Sequence, residues 1–147
     1  MRVIRIMAAL LALSAAAPLR ADLKKALAEP DLGKRSKLAL DNAFAAYQAA
    51  RDAYRKDDMQ QTQASIDEVG QSVDLAYQSL DDTGKNPRKS PTWFKKAELA
   101  TRDLSRRLAS FEDEMSYPDR PMLEKLKARV QQVHDDLLLG LMEGKKK

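Results

Sequence analysis

Apolar residues recur along the chain at alternating steps of three and four. Met59, Thr62, Ile66, Val69, Val73, Ala76 and Leu80 form one series, and Phe94, Ala97, Thr101, Leu104, Leu108, Phe111 and Met115 a second. Leu123, Leu126, Val130, Val133 and Leu137 form a third. A step averaging about 3.5 returns side chains to one face of an α-helix, so each series predicts a helix with one apolar stripe, the seam of bundles and coiled coils. Strand-like alternation of period two is absent.

An earlier segment differs. Its stripe of Leu40, Phe44, Tyr47 and Tyr54 is interrupted by Arg51, and Ala39, Ala43, Ala46, Ala50 and Ala53 run beside it at the same spacing. Two readings of the alanines stand side by side. Small residues let a neighbouring helix approach closely, and alanine is also the strongest intrinsic helix former.

The chain's five glycines and six prolines mark the joints. Asp57-Asp58 after Arg55-Lys56 gives one helix a cationic end and the next an acidic cap, each suited to its dipole. Asp58 with Gln61 fits a capping box. Gly84 is a natural C′ residue, and Ser90-Pro91 reads as an N-cap followed by proline at N1. Tyr117-Pro118-Asp119 closes the third helix and Pro121 opens the fourth. The predicted helices cover about 34–56, 59–82, 91–115 and 121–142, each about 35 Å long at ~1.5 Å per residue. Equal lengths, short joints and one stripe apiece predict an all-α, antiparallel up-down-up-down four-helix bundle in a single domain, 22–147. Asp22 to Glu29 is expected to be a short extra helix or an arm. Long hairpins that complete their core by forming a homodimer are the other architecture the heptads allow. A tetratricopeptide array is not supported, since no second copy follows at the required period.

The first 21 residues stand apart. Arg2 and Arg5 precede the apolar run Ile6 to Ala17, and Pro18 and Ala21 follow, which is the layout of a secretory signal peptide cut after Ala21. The run is shorter than the roughly 20 residues of a membrane span. Export to a periplasm or beyond is therefore expected. The chain carries 26 Lys+Arg and 22 Asp+Glu, +4 in all; removing a leader that holds three arginines and no acid leaves +1. A near-neutral exported chain gives no reason to expect nucleic acid as a partner. The absence of cysteine excludes disulfides, thiolate metal sites and covalent c-type haem attachment.

Chemistry-bearing patterns are few. His134 is the only histidine, and Gln131 stands where a Glu-x-x-His metal motif needs glutamate. No nucleophile–histidine–acid set and no Gly-rich phosphate loop can be named, so neither an enzyme, a metal site nor a cofactor is expected. An exported four-helix bundle with one histidine on its last helix nevertheless resembles the periplasmic b-type cytochromes. That resemblance implies haem held between His134 and a methionine of the first long helix, and Lys34 to Lys56 contains no methionine. The periplasmic helical chaperones are similar in size and helicity, but their Leu-Thr-x-x-Gln motif does not occur.

Charge is where the sequence becomes specific. Asp81-Asp82 ends one helix and Lys95-Lys96 begins the next, each with the unfavourable sign for its terminus. Glu112-Asp113-Glu114 before Arg120, Lys125 and Lys127 repeats the inversion. The expected compensation is that acids of one helix meet bases of the next. In the predicted topology one pole collects Lys34, Arg35, Lys37, Lys85, Arg88, Lys89, Lys95, Lys96 and Lys145 to Lys147 against Asp31, Asp81, Asp82 and Glu143, about +7 by this count, while the opposite pole comes to −2. Arg88, Lys89, Lys95, Lys96, Lys34, Arg35 and Trp93 are thus the candidate anion contacts, with another protein or an anionic envelope surface as the partner. Polybasic clusters gain on the order of 1 kcal/mol per residue at an anionic surface. Trp93 and Phe94 would either join that contact or pack into the bundle end.

Overall fold

A computed structural model describes residues 22–145; the leader expected over 1–21, with its cut after Ala21, and Lys146 and Lys147 lie outside the described residues. Five helices follow one another: α1 Lys24–Ala28, α2 Leu32–Arg55, α3 Met59–Asp82, α4 Thr92–Glu114 and α5 Glu124–Glu143, with a 3-10 segment, Tyr117–Leu123, leading into α5. Among the described residues there is no strand, and no helix is long and apolar enough to cross a membrane.

Local chemistry explains where the boundaries move from their expected places. The Asp31 carboxylate accepts from the Lys34 amide at 2.9 Å and starts α2 at Leu32, so the helix runs through Gly33 instead of beginning after it. At the α2–α3 turn Asp57 adopts φ 57°; its amide donates to Tyr54 O and that of Asp58 to Ala53 O, each at 3.0 Å. That is a Schellman closure with aspartate in the place glycine usually takes. Asp58 then caps α3 by accepting from the Gln61 amide at 3.0 Å. The reciprocal half of the capping box is not made. The Asp58 amide is already occupied by Ala53, and the Gln61 side chain turns to Ser65 Oγ instead. The Ser90-Pro91 start is also corrected: α4 begins at Thr92 with no side-chain cap. The Lys89 and Ser90 amides both donate to Asn86 O, which winds the loop back before the helix begins. Pro121 lies inside the 3-10 segment rather than opening α5.

The three seam series form the core: Ile66, Val69, Val73, Leu80, Phe94, Leu104, Leu108, Phe111, Leu123, Val130, Val133 and Leu137 are all buried. Met59 departs from its series and is 38 % exposed, because it is the first residue of α3 and extends past the packed region. The alanine stripe of α2 is buried throughout. It lies between Asn42, which donates to Ser72 Oγ of α3 at 2.9 Å, and Tyr47, whose hydroxyl donates to Arg107 O of α4 at 3.1 Å. On α3, Ser65, Ser72 and Ser79 recur every seven residues and are buried too. Both helices thus bury small residues, and α2–α3 is the most extensive helix contact among the described residues. Close approach is therefore part of what the alanines do.

The four long helices pack as a bundle with alternating directions. Spatial order, however, is α2, α3, α5, α4 rather than chain order. Two antiparallel hairpins, α2–α3 and α4–α5, lie side by side, so that α2 neighbours α4 and α3 neighbours α5 in parallel. Arg51 with Glu114 fixes the first parallel pair and Arg129 with Asp74 the second. α3 and α4 make further, smaller contact across the short diagonal. The connection from Thr83 to Pro91 crosses that diagonal. α1 folds onto the start of α2, burying Ala26 and part of Leu23, and Arg35 Nε holds the link by donating to Glu29 O at 2.8 Å.

A cationic pole with two cavities

The starts of α2 and α4 and the ends of α3 and α5 share one pole. Gly33 of α2 abuts Trp93 of α4, and Gly140 of α5 abuts Pro87 of the crossing loop. Lys145 Nζ reaches Asp81 Oδ1 at 4.0 Å. All seven candidate residues stand at this end. Lys34, Arg88, Lys89, Lys95 and Lys96 are exposed, as is Lys85 in the crossing loop. Among the described residues none of these six makes an ion pair, whereas Arg35 is partly buried and engaged with Glu29 O.

The expected compensation of Asp81-Asp82 by Lys95-Lys96 is not formed. These residues sit on α3 and α4, which face each other only across the diagonal, and Asp81 pairs instead with the tail of α5. Charge pairing follows spatial order, not chain order.

Trp93 does not project outward. Its indole lies flat on Gly33, where a Cβ would overlap Nε1, Cε2 and Cδ1, and Lys96 Nζ sits 4.7 Å from the ring centroid. Phe94 is buried in the core. Exposed apolar surface at this end includes the last turns of α5, where Leu139 is 49 % and Met142 66 % exposed, and Leu27 of α1.

Two cavities open at the pole, sharing Lys85 and Phe94. The first, of about 340 Å³, is lined by Tyr77, Pro87, Leu137 and Leu139 together with Asp81, Asp136, Glu143 and Lys145. Burial pushes the Tyr77 phenol above its ordinary pKa, and Asp136 and Asp81 push it the same way. Three carboxylates against two ammonium groups make this cavity a poor host for an anion. The second, of about 390 Å³, has no acid in its lining: Lys85 and Lys89, the hydroxyl residues Thr83, Ser90 and Thr92, and an apolar wall of Leu80, Pro91, Trp93 and Phe94. Sequence reasoning missed its hydroxyls, although they are interleaved with the lysines in the run from Thr83 to Lys96.

The opposite pole is stitched together. Glu114 accepts from both Arg51 and Arg55 of α2, and Lys127 Nζ meets Glu112 at 3.0 Å. The bond to Glu114 raises the Arg51 guanidinium above its already high pKa. The Tyr54 hydroxyl donates to Asp119 Oδ2 and accepts from the Ser116 amide, both at 2.9 Å. Phe111 receives Tyr47 and Tyr54 edge-on, with centroids at 6.1 and 5.9 Å. Arg51, which broke the apolar stripe in the sequence, is thereby one of the residues that tie α2 to α4.

His134 is accounted for by a carboxylate the sequence did not single out. Glu98, 4 % exposed, holds His134 Nε2 at 3.0 Å and also pairs with Arg102, while His134 Nδ1 faces Asp135 at 3.3 Å. Glu98 and His134 each follow a seam residue, Ala97 and Val133, and in antiparallel neighbours such flanking positions meet. Among the described residues no cluster of His, Cys, Asp and Glu is arranged to hold a metal. No protein-family model matches the chain, and no curated protein and no solved structure is significantly similar to it.

Proposed function

We propose that the protein is an exported, non-enzymatic helical bundle of the cell envelope. It acts through its surface, contacting anionic lipid head groups or other envelope anions with the pole where α2 and α4 begin. The observation that carries this reading is the state of the cations there. Lys34, Lys85, Arg88, Lys89, Lys95 and Lys96 stand exposed without ion pairs among the described residues, while the far pole engages Arg51, Arg55 and Lys127 with acids. Lys34 and Lys95 also oppose the dipoles of the helices they start, a placement that costs about 0.3–1 kcal/mol each with no ion pair to offset it among the described residues. An anionic surface reverses that sign. Leu139 and Met142 add apolar contact beside the cations. Export rests on the leader pattern of Arg2, Arg5 and Ile6 to Ala17.

Co-sedimentation with anionic vesicles tests this reading. Binding is expected to fall as salt rises and to drop when Arg88, Lys89, Lys95 and Lys96 are replaced by glutamine; undiminished binding by that variant removes the proposal. Haem binding gains no support. Both nitrogens of His134 face carboxylates, and α2 offers no methionine, so the residues present do not fit an axial pair.

A further inference from the structure

The second cavity, an open cleft, differs from the rest of the pole in being chemically divided. Its rim is polar and exposed: the ammonium groups of Lys85 and Lys89 and the hydroxyls of Ser90 and Thr92. Among the described residues, neither lysine makes an ion pair and neither hydroxyl makes a side-chain hydrogen bond. Its floor is apolar, made by buried Leu80 and Phe94 with the partly buried indole of Trp93. A cavity of about 390 Å³ is large enough for a small ligand, and such sites are commonly an apolar body with a few polar groups that fix orientation.

We infer that this cavity receives the phosphate end of an anionic membrane lipid, with the phosphate between Lys85 and Lys89 and the first carbons of the lipid on Leu80, Trp93 and Phe94. The inference rests on the reading of the pole as an anion-contacting surface and makes it specific. Charge selects the occupant: the lining holds cations and hydroxyl donors and no carboxylate, so a phosphate is accepted and a cationic group refused. The apolar floor selects an amphiphile over a bare anion. The adjoining cavity, with Asp81, Asp136 and Glu143, lacks this selectivity although it shares Lys85.

Trp93 is the only tryptophan in the chain and lines the cavity, so its fluorescence reports occupancy directly. The full protein is titrated with monomeric dihexanoyl phosphatidic acid, dihexanoyl phosphatidylcholine and inorganic phosphate. A saturable emission shift is expected with phosphatidic acid alone. Replacing Lys85 and Lys89 by glutamine is expected to weaken it by about tenfold or more. Replacing Lys34 and Lys95, which lie on the pole outside the cavity, leaves it unchanged while lowering vesicle binding. No saturable shift, an equal shift with phosphatidylcholine, or full affinity in the Lys85→Gln, Lys89→Gln variant overturns the inference. An equal shift with inorganic phosphate also overturns it, in favour of a small-anion site. Vesicle binding that survives without the titration removes the cavity and keeps the pole; a saturable titration without vesicle binding does the reverse.

Discussion

The two ends of this bundle are built from similar residues and reach opposite states. At the end where α2 meets α3, half of the six cations are absorbed by acids: Arg51 and Arg55 share Glu114 and Lys127 takes Glu112, while Arg120 turns to Met115 O and Lys56 and Lys125 stay exposed; Tyr54 joins Asp119 and Ser116. At the other end, the side chains holding helices together are apolar or small, with Trp93 on Gly33 and Pro87 on Gly140, and the cations are left over. The difference follows from spatial order. Because α3 and α4 face each other only across the diagonal, Asp81 and Asp82 cannot neutralise Lys95 and Lys96, whereas Glu114 lies beside α2 and can neutralise arginine there. A sequence that is nearly neutral over residues 22–147 therefore folds into a molecule with one closed end and one open end.

The comparison can be broken most strongly at the open end's packing. Gly33→Ala should destabilise the fold by about 1–3 kcal/mol in urea unfolding, because the rigid indole cannot move aside. Ordinary helix propensity favours alanine by about 1 kcal/mol, so a gain in stability would show that Trp93 does not anchor α4 to α2. Charge substitutions should be smaller and of opposite sign at the two ends. Glu114→Gln leaves Arg51 and Arg55 without their carboxylate and should cost about 0.5–1 kcal/mol. Lys34→Gln and Lys95→Gln remove cations from helix starts and should be neutral or stabilising by a few tenths of a kcal/mol. Equal losses at both ends would mean that the open pole's cations are structural after all.

How much of this was readable follows from what each residue's signal depends on. The seams were legible because a buried stripe needs one residue type at one spacing, and Ile66 to Leu80 and Leu123 to Leu137 supply both. Sharing of a pole was legible as well, because alternating directions put the same helix ends together in either spatial order. The order itself was not, since nothing in α3 or α4 states which neighbour its stripe faces. Hence Glu114 was expected to face α5, and it pairs with α2. Local competition hid other features: the amides of Lys89 and Ser90 go to Asn86 O, so the loop winds back and α4 starts at Thr92, and Ala53 O captures the amide of Asp58, which removes the reciprocal half of its capping box. The Trp93–Gly33 contact depends on α2 starting at Leu32, one turn of reasoning beyond the glycine that suggested a boundary. Glu98 was recoverable, because it follows Ala97 as His134 follows Val133.

The central claim is that the position of the free cations, not total charge, determines what this protein contacts. Two variants with the same change in charge test it: Arg88, Lys89, Lys95 and Lys96 to glutamine at the open pole, and Arg55, Lys56, Arg120 and Lys125 to glutamine at the closed one. With both variants shown to be folded by circular dichroism, co-sedimentation with anionic vesicles at low salt should be lost in the first and retained in the second. Equal loss in both would contradict the account.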